Sequence, residues 1–312
     1  MQPQTIQTET SFQAPTEKRW KVWWNLLRPH TLTAAFVPVF IGTALALYDT
    51  SIDWPLFFAM LLASLLIQAA TNMINEYYDY KKGLDNENSV GIGGAIVRHG
   101  VKPSTVLQLA FAFFGIATLL GVYICMNSTW WLAAIGTACM AAGYFYTGGP
   151  YPIAYTPFGE IVAGFFMGFV IILISFYIQT GTISDTAMLI SITISILVGA
   201  ILLANNIRDI VGDKENGRKT VAILLGRKNA ILLLAAMFIV SYALIVLFIA
   251  LGYASFWLLL VFLSVAKPLS AIKGFTNNNS NVTMMPAMVA TAKTNTIFGF
   301  LLGIGLVIGY FA

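Results

Sequence analysis

Nine long apolar segments dominate the sequence and restrict the folds that it can adopt. Each is close to the roughly 20 residues that a helix needs to cross the hydrocarbon core of a bilayer. Backbone groups in lipid find no water to bind, so separate apolar segments form helices there rather than open strands. The pattern predicts an all-α, polytopic membrane protein with nine transmembrane helices. The segments run over approximately residues 31–48, 55–78, 104–126, 129–147, 159–180, 185–206, 229–251, 254–272 and 293–311.

Composition and the placement of charge agree with this fold and predict an orientation. Only 10% of the 312 residues are charged, whereas soluble domains carry about 25% charged residues. All 17 Lys and Arg residues lie before the first segment or around the connections that follow segments 2, 6 and 8. Positive residues mark the cytoplasmic side of a membrane protein. We therefore expect the N-terminus and these connections on the cytoplasmic side of the cell (plasma) membrane. The net charge of +4 then reflects topology, and no nucleic-acid partner is expected.

The N-terminal region differs from the rest of the chain. Residues 1–19 are polar, and they lack the basic-then-apolar order of a signal peptide. A segment with so little apolar surface cannot bury enough of it to fold. We predict a disordered cytoplasmic tail over residues 1–19 and one membrane domain over residues 20–312.

Two polar clusters lie at the cytoplasmic ends of segments 2 and 6. Residues three or four positions apart share one face of a helix, so each cluster forms a polar stripe. The first stripe comprises Asn72, Asn75, Glu76 and Asp79, and Asp85 follows it. The second stripe comprises Asn205, Asp209 and Asp213, which step by four residues.

The two stripes need a compensating charge. Carboxylates near the hydrocarbon core are costly, and two stripes that face each other also repel. Divalent cations would remove both costs, and oxygen ligands from Asp and Asn suit Mg²⁺, which completes its shell with phosphate oxygens and water. Six basic residues nearby would hold the remaining phosphate charge; they are Lys81, Arg98, Arg208, Lys214, Arg218 and Lys219. Ordinary polar helix ends and a metal-free proton or ion pathway remain as alternatives.

The first stripe resembles a motif of the UbiA superfamily of intramembrane prenyltransferases. That motif reads approximately Asn-Asp-x-x-Asp-x-x-x-Asp, and Asn75, Glu76 and Asp79 match its first three positions. Gly83 stands at the last position, and Asp85 comes two residues later. With these departures, the first motif resembles that of the branch of the superfamily that prenylates 1,4-dihydroxy-2-naphthoate.

The second stripe and several other segments extend the resemblance over residues 20–312. The second family motif reads Asp-x-x-x-Asp-x-x-x-Asp; Asn205 replaces its first Asp, while Asp209 and Asp213 match. Other matching strings are Leu27-Arg28-Pro29-His30-Thr31-Leu32, Tyr146-Thr147-Gly148-Gly149-Pro150-Tyr151-Pro152 with Gly159-Glu160, and Gly217-Arg218-Lys219-Thr220.

The resemblance implies a fold and a reaction. Nine helices surround a central cavity beneath cytoplasmic cap loops that carry the two motifs. Mg²⁺ binds the diphosphate of a polyprenyl diphosphate, the allylic C–O bond ionises, and the cation alkylates an aromatic ring. In the naphthoate branch the acceptor, 1,4-dihydroxy-2-naphthoate, loses its carboxyl group as CO₂ and gives a demethylmenaquinol.

The resemblance also implies roles for individual residues. The catalytic residues are expected to be Asp79, Asp209 and Asp213. The metal ligands are expected to be these three together with Asn75, Asp85 and Asn205. The diphosphate is expected to contact Lys81, Arg98, Arg208, Lys214 and Lys219. The acceptor is expected to contact Arg28, Tyr146, Tyr151 and Glu160.

Two other functions stay open at this point. Another aromatic acceptor, such as 4-hydroxybenzoate, or haem farnesylation would use the same two motifs. An ion-coupled transporter is the alternative from a different class. It predicts acids near the bilayer midplane, whereas the acids here lie at the cytoplasmic ends of their segments.

Overall fold

The structure is a computed structural model, and it describes residues 19–84 and 94–312. All regular secondary structure in these residues is helical. The α-helices are α1 Arg19–Leu27, α2 Pro29–Ala46, α3 Trp54–Lys81, α4 Pro103–Asn127, α5 Trp131–Thr147, α6 Gly159–Ala163, α7 Ile171–Thr180, α8 Asp185–Arg208, α9 Ile210–Glu215, α10 Val221–Ala250, α11 Ala266–Asn277 and α12 Asn281–Phe311. A π-helix, Gly164–Val170, joins α6 to α7, and 3-10 helices cover Ile153–Tyr155 and Phe256–Ser264.

The expected all-α, polytopic architecture is confirmed. In the described part of the chain, seven helices are long and apolar enough to cross a membrane, and the bent pair α1 and α2, which meet at 54°, makes an eighth. The remaining predicted segment is α5, which has 17 residues. Each of the nine apolar segments therefore coincides with helical structure, but segment 159–180 is divided among α6, the π-helix and α7, and segment 254–272 between a 3-10 helix and α11. Of the predicted tail, only Arg19 lies within the described residues, as the first residue of α1.

Two helices extend well beyond the apolar segments that predicted them. α12 begins at Asn281, ahead of the expected start at 293, and α11 continues to Asn277. α10 is interrupted at Gly226, so its long part starts close to the expected residue 229. At the start of α12, Ser280 and Thr283 form a capping box, in which each side chain binds the other's backbone N–H. Hydropathy locates the part of a helix that lies in lipid, whereas its caps lie outside, and the apolar pattern therefore underestimates the length.

The helices pack into a bundle in which small residues allow close contact. α3 packs along α4, α2 lies between α7 and α12, and α8 contacts the π-helix, α10 and α12. At the crossing of the π-helix and α8, a Cβ on Gly168 would lie 2.4 Å from the Cα of Ser195. Such small-residue contacts are typical of helix pairs in membranes. Large apolar side chains such as Leu119 and Leu263 are more than 70% exposed on the outside, as expected for a lipid-facing surface.

Candidate active site

A cavity of about 780 Å³ lies among the helices and joins a polar end to an apolar end. The polar end lies between the C-terminal ends of α3 and α8, where Asn75, Asp79 and Asp209 line the wall. Towards the opposite ends of the helices the wall becomes apolar, with residues such as Met60, Phe166, Ile171, Ile174 and Leu132. The cavity therefore offers one compartment for a charged group and one for a hydrocarbon chain.

The α3 side of the polar end is held by hydrogen bonds to two neighbouring segments. The hydroxyl of Thr147, at the end of α5, donates to Asn75 Oδ1 at 2.6 Å. Asn72 Nδ2 donates to the carbonyl of Leu27 at 3.0 Å and to Thr31 Oγ1 at 2.9 Å. Asn72 is buried, and these bonds attach the bend between α1 and α2 to α3.

The opposite side is formed where α8 ends and α9 begins. Asp209 separates the two helices with φ −97° and ψ 9°, so its side chain leaves the line of α8. The Nε of Arg208 donates to Asp209 Oδ1 at 2.8 Å. The same guanidinium contacts the thioether sulfurs of Met285 and Met288 on α12. Arg208 and Asp209 thus form an ion pair at the cavity wall.

Arg218 joins the two motifs. Its Nη2 lies 3.1 Å from Asp79 Oδ1, and its Nη1 lies 3.0 Å from Asp213 Oδ1. Its guanidinium also lies over the ring of Tyr155, 5.1 Å from the ring centre. The first and second motifs, far apart in the chain, therefore meet across one guanidinium.

Both motifs end in the same type of glycine turn. Gly83 and Gly217 adopt φ 75°, and each follows the last Asp of its helix, Asp79 or Asp213, by four residues. The next backbone N–H returns to the carbonyl of that Asp, from Leu84 at 2.9 Å and from Arg218 at 2.9 Å. These bonds form a Schellman-type helix end, which favours glycine at the left-handed position. Gly83 replaces the family's Asp at a position that has this left-handed conformation.

Burial and the neighbouring opposite charges shift the pKa values of Asp213 and Arg218 in opposite directions. Burial raises the pKa of the Asp213 carboxyl to about 6, although the Arg218 guanidinium opposes this effect. Burial also acts to lower the pKa of Arg218, but Asp213 and Asp79 outweigh it and raise the pKa. The acids therefore favour the charged form of the guanidinium, and Arg218, with a smaller contribution from Arg208, favours the carboxylate form of Asp213 against burial.

Two of the residues that are expected to contact the acceptor lie on the cavity wall, and a third lies behind this wall. Arg28 lines the cavity with φ 52°, a left-handed conformation that is strained for a residue with a Cβ. Tyr146 also lines it. Glu160 is buried instead, and its Oε1 accepts from Nδ2 of Asn206, a cavity-lining residue, at 2.8 Å. A carboxylate only accepts hydrogen bonds. Glu160 therefore binds the amide nitrogen of Asn206, and the amide oxygen of Asn206 points away from Glu160.

The structure brings some of the predicted residues together and leaves others apart. The predicted residues that line the cavity are Arg28, Asn75, Asp79, Tyr146, Asn205, Arg208, Asp209 and Asp213. Those that are exposed and do not line it are Lys81, Arg98, Tyr151, Lys214 and Lys219. Tyr151 lines a separate surface depression with Lys82 and Tyr155. Asp85 lies outside the described residues.

Two residues of the site were not given a specific role from the sequence. Arg218 was one of six basic candidates, and the helix-ending signal of Gly217 indicates that it turns back towards Asp213. Asn206 stands beside Asn205 in the second stripe, and only its pairing with Glu160 from another helix distinguishes it. That pairing is a tertiary contact without a local signal.

The donor set at the polar end fits a hard divalent cation. Asn75, Asp79, Asn205, Asp209 and Asp213 provide oxygen atoms only, as Mg²⁺ prefers. Among the residues that the structure describes, however, no three Asp, Glu, His or Cys side chains converge as a metal site. The carboxylates are instead paired with Arg208 and Arg218. A metal ion would therefore be held after these arginines release the acids.

Comparison with known proteins gives a consistent result. A family model described as "UbiA prenyltransferase family" matches residues 35–288. The chain is 59% identical over 308 residues to 1,4-dihydroxy-2-naphthoate octaprenyltransferase of Bacillus subtilis (strain 168), and the match covers 99% of both chains.

Solved structures share the fold at low sequence identity. A UbiA homologue from Aeropyrum pernix K1 superposes with a TM-score of 0.66 at 16% identity, covering 88% of this chain and 97% of that one. A UbiA homologue from Archaeoglobus fulgidus, described as bound to DMAPP and Mg²⁺, gives a TM-score of 0.60 at 16% identity and covers 91% of this chain and 99% of that one.

Proposed function

Because the chain belongs to the UbiA prenyltransferase family, we propose that it transfers a polyprenyl group from polyprenyl diphosphate to 1,4-dihydroxy-2-naphthoate. Carbon dioxide and diphosphate are released, and the product is a demethylmenaquinol, an intermediate of menaquinone biosynthesis. The observation that carries the choice of acceptor is the 59% identity, over nearly the full chain, to the Bacillus subtilis naphthoate enzyme. The two-compartment cavity supports the class of donor, because it combines a charged end with an apolar channel.

The reaction is Mg²⁺-dependent in this proposal. Asp79, Asp209 and Asp213 hold the metal, and Asn75, Asn205 and Asp85 assist them. When bound, the ion supplies positive charge that stabilises the departing diphosphate. The homologue from Archaeoglobus fulgidus that is bound to DMAPP and Mg²⁺ supports this assignment, as does the all-oxygen donor set of the cavity.

The basic residues of the chain complete the diphosphate site. Arg208 and Arg218 line the cavity beside the acids and donate hydrogen bonds to the diphosphate as negative charge builds on it. Lys81, Arg98, Lys214 and Lys219 lie on the exposed surface at the same end of the bundle, where they attract the anionic donor through the longer-range field. The inner arginines therefore bind the diphosphate, and the outer residues steer it.

The apolar compartment protects the allylic cation and holds the isoprenoid chain. Its wall excludes water, which would otherwise capture the cation. Phe166 from the π-helix and Tyr146 from α5 present aromatic rings to the same cavity, and such ring faces stabilise cations. When the allylic C–O bond breaks, diphosphate leaves with the electron pair. A ring carbon of the acceptor then forms the new C–C bond, and its bond to the carboxyl group breaks to release CO₂ and return an electron pair to the ring.

The proposal includes a location and a domain organisation. The protein lies in the plasma membrane with its N-terminus in the cytoplasm, and the polar end of the cavity opens to the cytoplasm. Asp79 and Arg208 lie at helix ends that adjoin the basic connections, and the positive-inside rule supports this orientation. Residues 20–312 form a single prenyltransferase domain that follows the tail.

The acceptor assignment predicts the outcome of a direct assay. Purified protein with Mg²⁺, a polyprenyl diphosphate and carboxyl-labelled 1,4-dihydroxy-2-naphthoate is expected to release labelled CO₂ in step with prenylated product. 4-Hydroxybenzoate is expected to give less than about one hundredth of that kcat/KM, because a site that binds two hydroxyl groups rejects an acceptor that lacks one. Prenylation of 4-hydroxybenzoate in preference to naphthoate would overturn the assignment.

The pair formed by Glu160 and Asn206 predicts a separate effect on acceptor binding. The amide oxygen of Asn206, directed by Glu160, is expected to accept a hydrogen bond from an acceptor hydroxyl. Glu160→Leu removes the group that orients this amide, so the KM for naphthoate should rise about tenfold. The KM for the donor should change by less than about twofold, as measured by initial rates with each substrate varied in turn.

Glu160→Gln is the matched control for this prediction. Its side chain keeps the shape of Glu160 and an oxygen that accepts from Asn206 Nδ2. It should therefore retain most of the affinity for naphthoate. Equal increases in both KM values in Glu160→Leu would assign Glu160 a purely structural role.

A further inference from the structure

Three acids of the two motifs, Asp79, Asp209 and Asp213, are paired with arginines of the same chain. Asp79 and Asp213 share Arg218, and Asp209 binds Arg208. These groups are largely removed from water; the side chains of Arg218 and Asp213 are 15% and 8% exposed. Charges at such burial are screened little by solvent, so each acid needs a partner even when no substrate is bound.

Arg218 is placed where a divalent cation would otherwise bridge the motifs. Its two Nη atoms reach one carboxylate of each motif, at 3.1 and 3.0 Å. A metal ion held by Asp79 and Asp213 together would compete with the guanidinium for the same two carboxylates. Two positive charges cannot occupy this space together, because their repulsion is strong where water is excluded.

Arg218 keeps an unused donor and is carried on a fixed turn. Its guanidinium lies over the ring of Tyr155, and the backbone N–H of Lys219 binds the Tyr155 carbonyl at 3.0 Å, which fixes the turn that carries Arg218. Its Nε is buried and has no hydrogen-bond partner among the described residues. The guanidinium thus keeps an unused donor while it holds the two acids. Rotation about the side-chain torsions can move the guanidinium while the backbone of the turn stays fixed.

We propose that Arg218 is an exchangeable counter-cation of the active site. In the substrate-free protein it occupies Asp79 and Asp213 and competes with the divalent cation. When the donor arrives with its metal, the carboxylates pass to the metal and the guanidinium passes to the diphosphate. This inference rests on the proposed prenyl-transfer function, and it adds that metal and donor bind cooperatively because Arg218 must exchange partners.

Mn²⁺ binding to the substrate-free protein tests the exchange without any turnover. Detergent-purified protein is titrated with Mn²⁺, and free Mn²⁺ is measured by its electron paramagnetic resonance signal. Arg218→Gln removes the competitor, so it should bind Mn²⁺ about tenfold more tightly than the wild type. The same variant should show about a tenfold higher KM for the prenyl donor, because it loses a bidentate diphosphate ligand.

Two further variants separate exchange from general effects. Lys228→Gln, on the exposed surface at the start of α10, removes the same charge without touching the acids, and its Mn²⁺ affinity should match that of the wild type within about twofold. Arg218→Lys keeps the charge but holds the two carboxylates less well than the planar guanidinium. It should bind Mn²⁺ about threefold more tightly, and it serves as the test if Arg218→Gln does not fold.

The opposite signs of the two effects distinguish exchange from a structural role. A residue that only tethers α3 to the turn after α9 would weaken both Mn²⁺ and donor binding when replaced. Unchanged or weaker Mn²⁺ binding in a folded Arg218 variant would therefore overturn the inference. Absence of naphthoate prenylation by the wild type would instead overturn the proposed function, and it would leave the Mn²⁺ comparison interpretable.

Discussion

Asp209→Asn is expected to lower kcat/KM for prenyl transfer by roughly 10²–10³-fold. Asp209 lies between α8 and α9 on the wall of the polar compartment, where it pairs with Arg208. The substitution removes a negative charge that holds the metal and retains the size of the side chain. Loss of one group that stabilises the departing charge typically has an effect of this size. Initial rates at saturating Mg²⁺, with product resolved by chromatography, measure it.

Asp49→Asn is the matched control for this experiment. Asp49 carries the same group, but it is exposed and lies in the turn after α2, away from the cavity. The activity of the Asp49→Asn variant should equal that of the wild type. Retention of more than about one tenth of the wild-type activity by Asp209→Asn, with normal folding, would contradict the assignment of Asp209 as a metal-binding residue.

The fold was predictable because hydropathy and charge are local signals. Each apolar segment reports its own need for lipid, so α8 and α12 were located without knowledge of their neighbours. Their ends were less accurate, because the capping box of Ser280 and Thr283 lies in a polar stretch that hydropathy does not detect. The break at Gly226, with φ 73°, interrupts α10 for a reason of backbone conformation and not of polarity.

The site was predictable only where its residues share a helix. Asn75 and Asp79 were found from their spacing on α3, and Asp209 and Asp213 from theirs around the end of α8. The contact between Arg218 and Asp79 joins residues 139 positions apart, and no periodicity signals it. Glu160 was expected to touch the acceptor but lies behind Asn206, since spacing does not indicate which face of α6 points inward.

The crossing of the π-helix and α8 is a place where one added methyl group should strongly destabilise the fold. Gly168 lies so close to α8 that a Cβ would come within 2.4 Å of the Cα and 2.6 Å of the backbone nitrogen of Ser195. Both atoms belong to the backbone of a buried helix and cannot move aside as a side chain would. Gly168→Ala is therefore expected to lower the free energy of unfolding by about 3 kcal/mol, at the upper end for overpacking.

Gly115→Ala provides the control for this stability experiment. Gly115 lies inside α4, and a Cβ there would meet nothing within 4 Å. Since alanine is a better helix former than glycine, this variant should be unchanged or more stable by up to about 1 kcal/mol. Thermal unfolding in one detergent, with monodispersity checked before and after heating, compares the two. A Gly168→Ala protein as stable as Gly115→Ala would contradict the close crossing.

The same crossing links stability to the shape of the active site. Phe166, two residues before Gly168 on the π-helix, lines the cavity, and Asn205 lies further along α8, which the π-helix packs against. Separation of the two helices would widen the apolar compartment next to the cation. Gly168→Ala protein that remains folded at low temperature should therefore lose product and release free prenyl alcohol, because water then captures the cation. The ratio of alcohol to prenylated product, unchanged in Gly115→Ala, separates this effect from simple loss of folded protein.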